Sequence, residues 1–300
     1  MEYFLQLFFA GLTKGSIYAL IALGYTMVYG IIQLINFAHG EIYMIGAFTA
    51  LIAAGVLSVF NLPVVAIFII VTLVAILYSS AYGYTIEKIA YKPLRNAPRL
   101  SALISAIGMS IFLQNYVLLA QTSDFLPFPS LIGQFKFMEP YNHILSSSGL
   151  VIIISTFIAM LLLSLYIKFT RMGKAMRATA QDKKMALLLG INVDRVISTT
   201  FVVGSALAAL GGVLIANHIG QINFYIGFIA GIKAFTAAVL GGIGSVPGAV
   251  LGALILGWTE SFSTGYISSD YQDVFAFILL VVILIFKPSG ILGKKTDQKV

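Results

Sequence analysis

Lys168 to Arg195 reads KFTRMGKAMRATAQDKKMALLLGINVDR, and the rest of the chain falls into order around it. The stretch holds seven of the eighteen Lys and Arg residues, Lys168, Arg171, Lys174, Arg177, Lys183, Lys184 and Arg195. Yet the whole chain is 59% apolar and 10% charged, with a mean hydropathy of +0.98. Soluble proteins sit near 45–50% apolar and about 25% charged, so a charged island with such flanks belongs to a polytopic membrane protein. Windows free of Asp, Glu, Lys and Arg run from Gly15 to Gly40, Ile42 to Ile86, Ser101 to Ser123, Pro140 to Ile167, Val196 to Ile232 and Ala234 to Thr259. Each exceeds the roughly 20 residues of a spanning helix. A transmembrane barrel would show weaker, alternating ten-residue segments instead.

Apolar runs and breakers therefore predict an all-α bundle, a single domain over residues 1–300, with spans near 5–33, 41–59, 63–86, 101–120, 147–167, 196–217, 228–242, 247–264 and 272–287. Eight to ten crossings are compatible with the pattern, and nine is the direct count. Gly24 and Gly30 mark a possible break in the first run, and the N-terminal segment, lacking a basic region and a small-residue cleavage pattern, reads as part of that first span. Lys and Arg sort onto alternate loops as the positive-inside rule expects. Lys88, Lys92, Arg95 and Arg99 follow the third span, the island carries seven, and Lys287, Lys294, Lys295 and Lys299 lie in the tail, making 15 of 18. The loop from Phe125 to Ser148 has only Lys136, and Gly265 to Asp273 has two aspartates. Nine crossings would place the N-terminus outside and the C-terminus in the cytoplasm.

Within the island, Gly173 and the basic residues extend the preceding span into water, and a second, short helix follows. Asp182 is placed to cap it, and Met185, Ala186 and Leu189 share one face. Gly190 suits the left-handed residue of a Schellman stop with Ile191 behind it, and Asn192 is placed to cap the next span. Lipid head groups account for the basic residues at about 1 kcal/mol each. They leave the capped helix and its leucines unexplained, and apolar surface at such a site calls for a docked partner.

The same island, RMGKAMRATAQDKKMALLLGINVDRV, resembles the cytoplasmic loop of branched-chain amino acid ABC transporter permeases, and is closest to the LivH type. Two further stretches resemble that family, GYTMVYGIIQLINFAHGEIYMIGAF at Gly24 to Phe48 and GIKAFTAAVLGGIGSVPGAVLGALILG at Gly231 to Gly257. The resemblance covers essentially the whole chain. In this loop Ala-Thr-Ala-Gln-Asp stands where the general importer motif has Glu ahead of its alanines, which fits the branched-chain class. The resemblance implies a coupling loop over residues 168–195 that docks on an ATPase through Arg177, Ala178, Ala180, Gln181, Asp182, Ala186, Gly190, Ile191 and Asn192. It also implies a multi-pass subunit of a bacterial cytoplasmic membrane with no cofactor of its own. ATP and magnesium would belong to two separate ATP-binding subunits (LivG- and LivF-type), beside a second, homologous permease (LivM-type) and an extracytoplasmic substrate-binding protein. Urea and other amino acids remain alternative cargoes, because related permeases share these motifs.

Ionisable and polar residues in apolar segments are costly and mark candidate paths. Asn36, His39 and Glu41 stand where a helix begins after a break; Asn36 is a potential cap, and a carboxylate at a helix N-terminus is favoured by the helix dipole. The plain reading is a helix start at the membrane rim; the functional one is a gate or path lining. Lys233 and Glu260 lie near the outer ends of their spans, as rim anchors or as an ion pair, and Lys14 has no evident partner. Trp258, Tyr266 and Tyr271 read as interfacial aromatics. There is no GxxxxGK[ST] phosphate loop, no cysteine, and no grouping of the three histidines for catalysis or metal. The chain therefore reads as a transport subunit and not an enzyme, with an ion-coupled carrier as the alternative from another class.

Overall fold

The computed structural model describes residues 1–95 and 97–293. Lys294, Lys295 and Lys299, assigned above to the basic tail, lie outside the described residues. Among the described residues the chain is mostly helical, with one antiparallel ribbon of two residues a side that pairs β1 (Leu126–Pro127) with β2 (Gln221–Ile222).

The centre is α1 (Glu2–Ile32), a continuous helix buried from Gly11 to Ile32 on most of its surface. The expected break at Gly24 and Gly30 does not occur. Gly24 serves close approach instead: a Cβ there would collide with the His39 imidazole, so the glycine admits a neighbouring helix end. Around α1 pack α10 (Val246–Tyr266), α8 (Val193–Ile219), α9 (Ile226–Gly241) and α5 (Ser147–Phe169). The α1–α10 contact is backbone-close, because Gly11 and Gly15 meet Gly257, Trp258 and Leu254. Helices in an apolar solvent associate through such small-residue packing. The spacing Gly204, Ala208, Gly212 on α8 acts likewise, with Gly204 against Gly24 and Gly212 against the Tyr43 backbone.

On the far side of α8 lie α2 (His39–Leu57) and α3 (Val64–Ile86), with α4 (Arg99–Ala120) outside them. α3 continues through a π-helical turn, Glu87–Tyr91, and a 3-10 turn, Lys92–Leu94. The outer faces of α3, α4, α5 and α11 (Gln272–Phe286) are largely uncovered and carry Leu77, Phe112, Phe157 and Phe286, among other large apolar side chains. Such a belt suits a hydrocarbon surround.

Among the described residues, seven helical segments are long and apolar enough to cross a membrane, and up to eight when α9 and α10 are taken together. That pair is bent by 119° across the Gly242–Ser245 break. The count of nine treated each as a separate span. With 16 residues, α9 reaches only about 24 Å at 1.5 Å per residue, short of the roughly 30 Å hydrocarbon core. The first turn of α9 packs inside the bundle against Gly40 and Glu41, and α10 ends beside the start of α1. α9 begins just after β2, and Tyr3 at the start of α1 donates to the Gly265 carbonyl at the end of α10 (2.7 Å). At the same end, His143 of the α4–α5 loop meets Glu2 (2.9 Å), and Trp258 stacks on Phe8 and donates to its carbonyl.

The opposite end gathers the basic residues. Arg95 joins the buried Glu87 to Asp194, and Lys92 adds a second contact to Asp194 (2.9 Å). This ties the extension of α3 to the first turn of α8. The post-α11 segment returns here, with Ile291 and Leu292 donating to the carbonyls of Leu240 and Gly241 (both 2.9 Å).

Candidate functional site

Two features of the basic end stand out, a helical elbow built from the island and an interrupted element that enters the bundle beside it. The elbow differs from expectation at its start. The α5 helix stops at Phe169, and Thr170 caps a new helix, α6 (Arg171–Gln181), by accepting from the Gly173 amide at 2.9 Å. Gly173 is needed in this turn because a Cβ would strike the carbonyls of Tyr166 and Ile167. The basic residues therefore sit on a separate helix and do not prolong the span. Met176 and Thr179 face the bundle, while Arg171, Lys174, Arg177, Ala180 and Gln181 are exposed and Ala178 is half-buried. The Arg177 guanidinium folds back onto the carbonyls of Ile167 and Lys168, satisfying the end of α5.

The second arm is α7 (Lys183–Leu188). Asp182 accepts from the amides of Lys184 (2.8 Å) and Met185 (3.0 Å), as its position foretold. At the other end Gly190 adopts φ +78°, its amide donates to Leu187 (3.0 Å) and the Ile191 amide to Ala186 (3.0 Å). Those two bonds are the Schellman pair. Asn192 then caps α8 by accepting from the Arg195 amide at 3.0 Å. One detail was misplaced. Ala186 points into the bundle and is buried, whereas Met185, Leu187, Leu188 and Leu189 are exposed, Leu188 at 81%. The small alanine seats the helix and the leucines face away.

The interrupted element runs from Gln33 to Ala38. Gln33, at φ 59°, is the only non-glycine residue with positive φ among those described. α2 begins at His39, beside Gly24, eight residues before the end of α1. By helix rise this lies about 12 Å inside that end, not at its rim. Asn36 does not cap α2; its side-chain oxygen accepts from the Tyr91 hydroxyl (2.9 Å), and its backbone carbonyl accepts from the His39 amide (3.0 Å). Glu41 is 1% exposed, accepts from Ser110 at 3.0 Å, and presses against Gly227 of α9. Asn36 Nδ2, His39 Nε2 and Glu41 Oε2 are buried without hydrogen-bond partners among the described residues. Leaving such groups unpaired costs about 1–3 kcal/mol each, so the polar cluster is expensive to keep. Lys183 links the two features: its Nζ donates to the Ile32 carbonyl at 3.1 Å, where α1 gives way to the interrupted element.

Lys233 and Glu260 are brought together, at 3.1 Å. Lys233 also meets Asp273 of α11 (2.7 Å), and Tyr18 of α1 donates to Glu260 (2.8 Å). The lysine is 7% exposed, so it is not a rim anchor. The cluster joins α1, α9, α10 and α11 on the side of α9 away from Glu41. Asp273 and Tyr18 escaped the sequence reading because an aspartate in a turn and a tyrosine in a span are unremarkable until a buried amine lies beside them. Likewise, nothing in the spacing of Glu87, Arg95 and Asp194 announced an ion cluster.

The sequence matches the family described as "Branched-chain amino acid transport system / permease component" over residues 7–284. The high-affinity branched-chain amino acid transport system permease protein LivH of Escherichia coli K12 is 54% identical, covering 99% of this chain and 98% of that one. The corresponding protein BraD of Pseudomonas aeruginosa is 52% identical over the same shares of the two chains. Among solved structures, an inward-facing metal-chelate type ABC transporter overlaps 92% of this chain and 85% of that chain at 16% identity, with a TM-score of 0.49. By its match over nearly the full length, the chain belongs to the family of branched-chain amino acid transport permeases.

Proposed function

We propose that this protein is the LivH-type, membrane-spanning permease subunit of an ATP-driven importer that carries leucine, isoleucine and valine across the bacterial cytoplasmic membrane. Hydrolysis belongs to separate LivG- and LivF-type ATPases; a LivM-type permease and an extracytoplasmic binding protein complete the machine. The observation that carries the reading is α7, which is capped at both ends, seated through Ala186 and clad outwardly in leucine. A rigid knob of this kind transmits a push where a loop would absorb it.

The basic end then faces the cytoplasm. The α9–α10 pair enters and leaves from the outer face, leaving the N-terminus outside and the C-terminus inside. Closure of the ATPases displaces α7, and Lys183 passes that displacement to the end of α1 and the Gln33–Ala38 break. The polar cluster of Asn36, His39 and Glu41, with its unpaired buried atoms, is the element that changes partners as the path opens.

Burying a leucine contributes about 1.5–3 kcal/mol, so Leu188→Arg with Leu189→Arg removes at least about 3 kcal/mol from docking, a factor of about 150 in affinity. Both side chains point away from the bundle, so membrane levels should stay normal while ATPase co-purification and leucine uptake are lost. Normal uptake in the double variant would exclude α7 as the coupling element. Titrating the binding protein with leucine and with urea separates the proposed cargo from the amide alternative.

A further inference from the structure

Toward the outer end of α8, residues of α1, α8, β2 and α9 line an open cavity of about 410 Å³, within the range of about 300–1,000 Å³ typical of small-molecule sites. Its wall is mainly aliphatic, including Ile17, Ile215, Ile222, Ile226 and Ile229. Two amines reach it, Lys14 and Lys233. Lys233 is already held by Glu260 and Asp273. Lys14 is half-buried and makes no hydrogen bond or ion pair among the described residues. A cation kept in a membrane-embedded, aliphatic cavity with no carboxylate in direct contact, the charges of Glu260 and Asp273 reaching it only from a distance, is costly, and it is chemically matched to a carboxylate. Gln221 on the same wall supplies an amide oxygen able to meet an ammonium, while that of Asn223 already accepts from the Tyr225 amide (3.1 Å).

We propose that this cavity is a substrate site within the permease, in which Lys14 binds the carboxylate and the isoleucine wall binds the side chain of a branched aliphatic amino acid. The inference rests on the function proposed above and adds a place where the permease itself recognises its cargo. An anionic lipid is the competing occupant, and the volume favours a single small molecule over a head group with its acyl chains.

The test uses the complete permease–ATPase complex in vesicles without binding protein, irradiated with a diazirine analogue of leucine. Peptides around Ile17, Ile215 and Ile222 should be labelled, with excess leucine suppressing the label and isopentylamine, which lacks the carboxylate, leaving it. Lys14→Met should reduce labelling about 10- to 100-fold, the worth of one charge-assisted hydrogen bond. Lys14→Arg should restore most of it, and Ile226→Trp, which fills the cavity and keeps the lysine, should abolish it. Labelling that ignores both Lys14→Met and leucine overturns the site, as does protection by added anionic lipid in place of leucine. If binding-protein-driven leucine uptake is absent from the unaltered complex, the proposed function fails; if uptake is present and only the labelling fails, this site alone is wrong.

Discussion

Replacing Lys233 with methionine isolates the energetics of the buried ion cluster. The Lys233 amine lies 3.1 Å from Glu260 and 2.7 Å from Asp273, with side-chain exposures of 9%, 1% and 51% respectively. Taking away the amine leaves Glu260 buried with only the Tyr18 hydroxyl as donor. Removing one partner of a buried pair costs about 3–5 kcal/mol, most of it the stranded charge. Asp273 is half exposed, and ion pairs with such water access contribute about 0–1 kcal/mol. Lys233→Met should therefore lower the free energy of unfolding by about 3–5 kcal/mol, a shift of two to nearly four decades in the folding equilibrium, and Asp273→Asn by less than about 1 kcal/mol. Adding Glu260→Gln to Lys233→Met should recover most of the loss, because a neutral amide keeps the Tyr18 contact without the charge. Equilibrium unfolding in mixed micelles, with membrane levels measured alongside, reads all four proteins. If the double variant is no more stable than Lys233→Met, or if Asp273→Asn is as damaging, stranded charge at Glu260 is not what the cluster prevents.

Gly190→Val forces a β-branched residue into a left-handed position at about 1–2 kcal/mol, so α7 should fray and trypsin should cut faster at Lys183 and Lys184; an unchanged cleavage rate would count against a rigid coupling helix. Arg95→Ala leaves Glu87, whose side chain is fully buried, with Ser198 as its remaining partner (2.7 Å). A stability loss near the lower end of about 3–5 kcal/mol should follow, with most of it returned by Glu87→Gln in the same protein, as judged by thermal unfolding in detergent. Gly212→Leu drives a side chain into the Tyr43 backbone, and that variant should fail to accumulate in the membrane. Gly55→Leu, which meets nothing within 4 Å, should accumulate normally; equal levels would refute the close α2–α8 contact.

Much of the elbow was legible because its determinants are local. Asp182, Gly190 and Asn192 act within four residues of themselves, through caps and a left-handed turn, so residue type and spacing suffice. The start of the elbow was less legible: Thr170 and Gly173 make a sharp corner between two helices that the hydrophobic pattern alone reads as continuous. Ala186 and the leucines show the limit of local reading. Their periodicity places them on a short helix, but which face turns inward depends on α6 and α8, to which α7 is attached.

The sequence by itself determined a multi-pass helical bundle, the end that gathers the basic residues, and the caps of the elbow, because hydropathy, charge and cap chemistry are carried by neighbouring residues. Tertiary structure decided that Gly24 is a contact and not a break, and that α9 and α10 form a bent pair. It decided too that Asn36 serves Tyr91 and not the start of α2. Pairings such as Tyr18 with Glu260, or Lys92 and Arg95 with Asp194, form between helices far apart in the chain. Nothing at either end of such a pair encodes the distance between them; only packing of small residues against α1 and α8 brings those groups within reach.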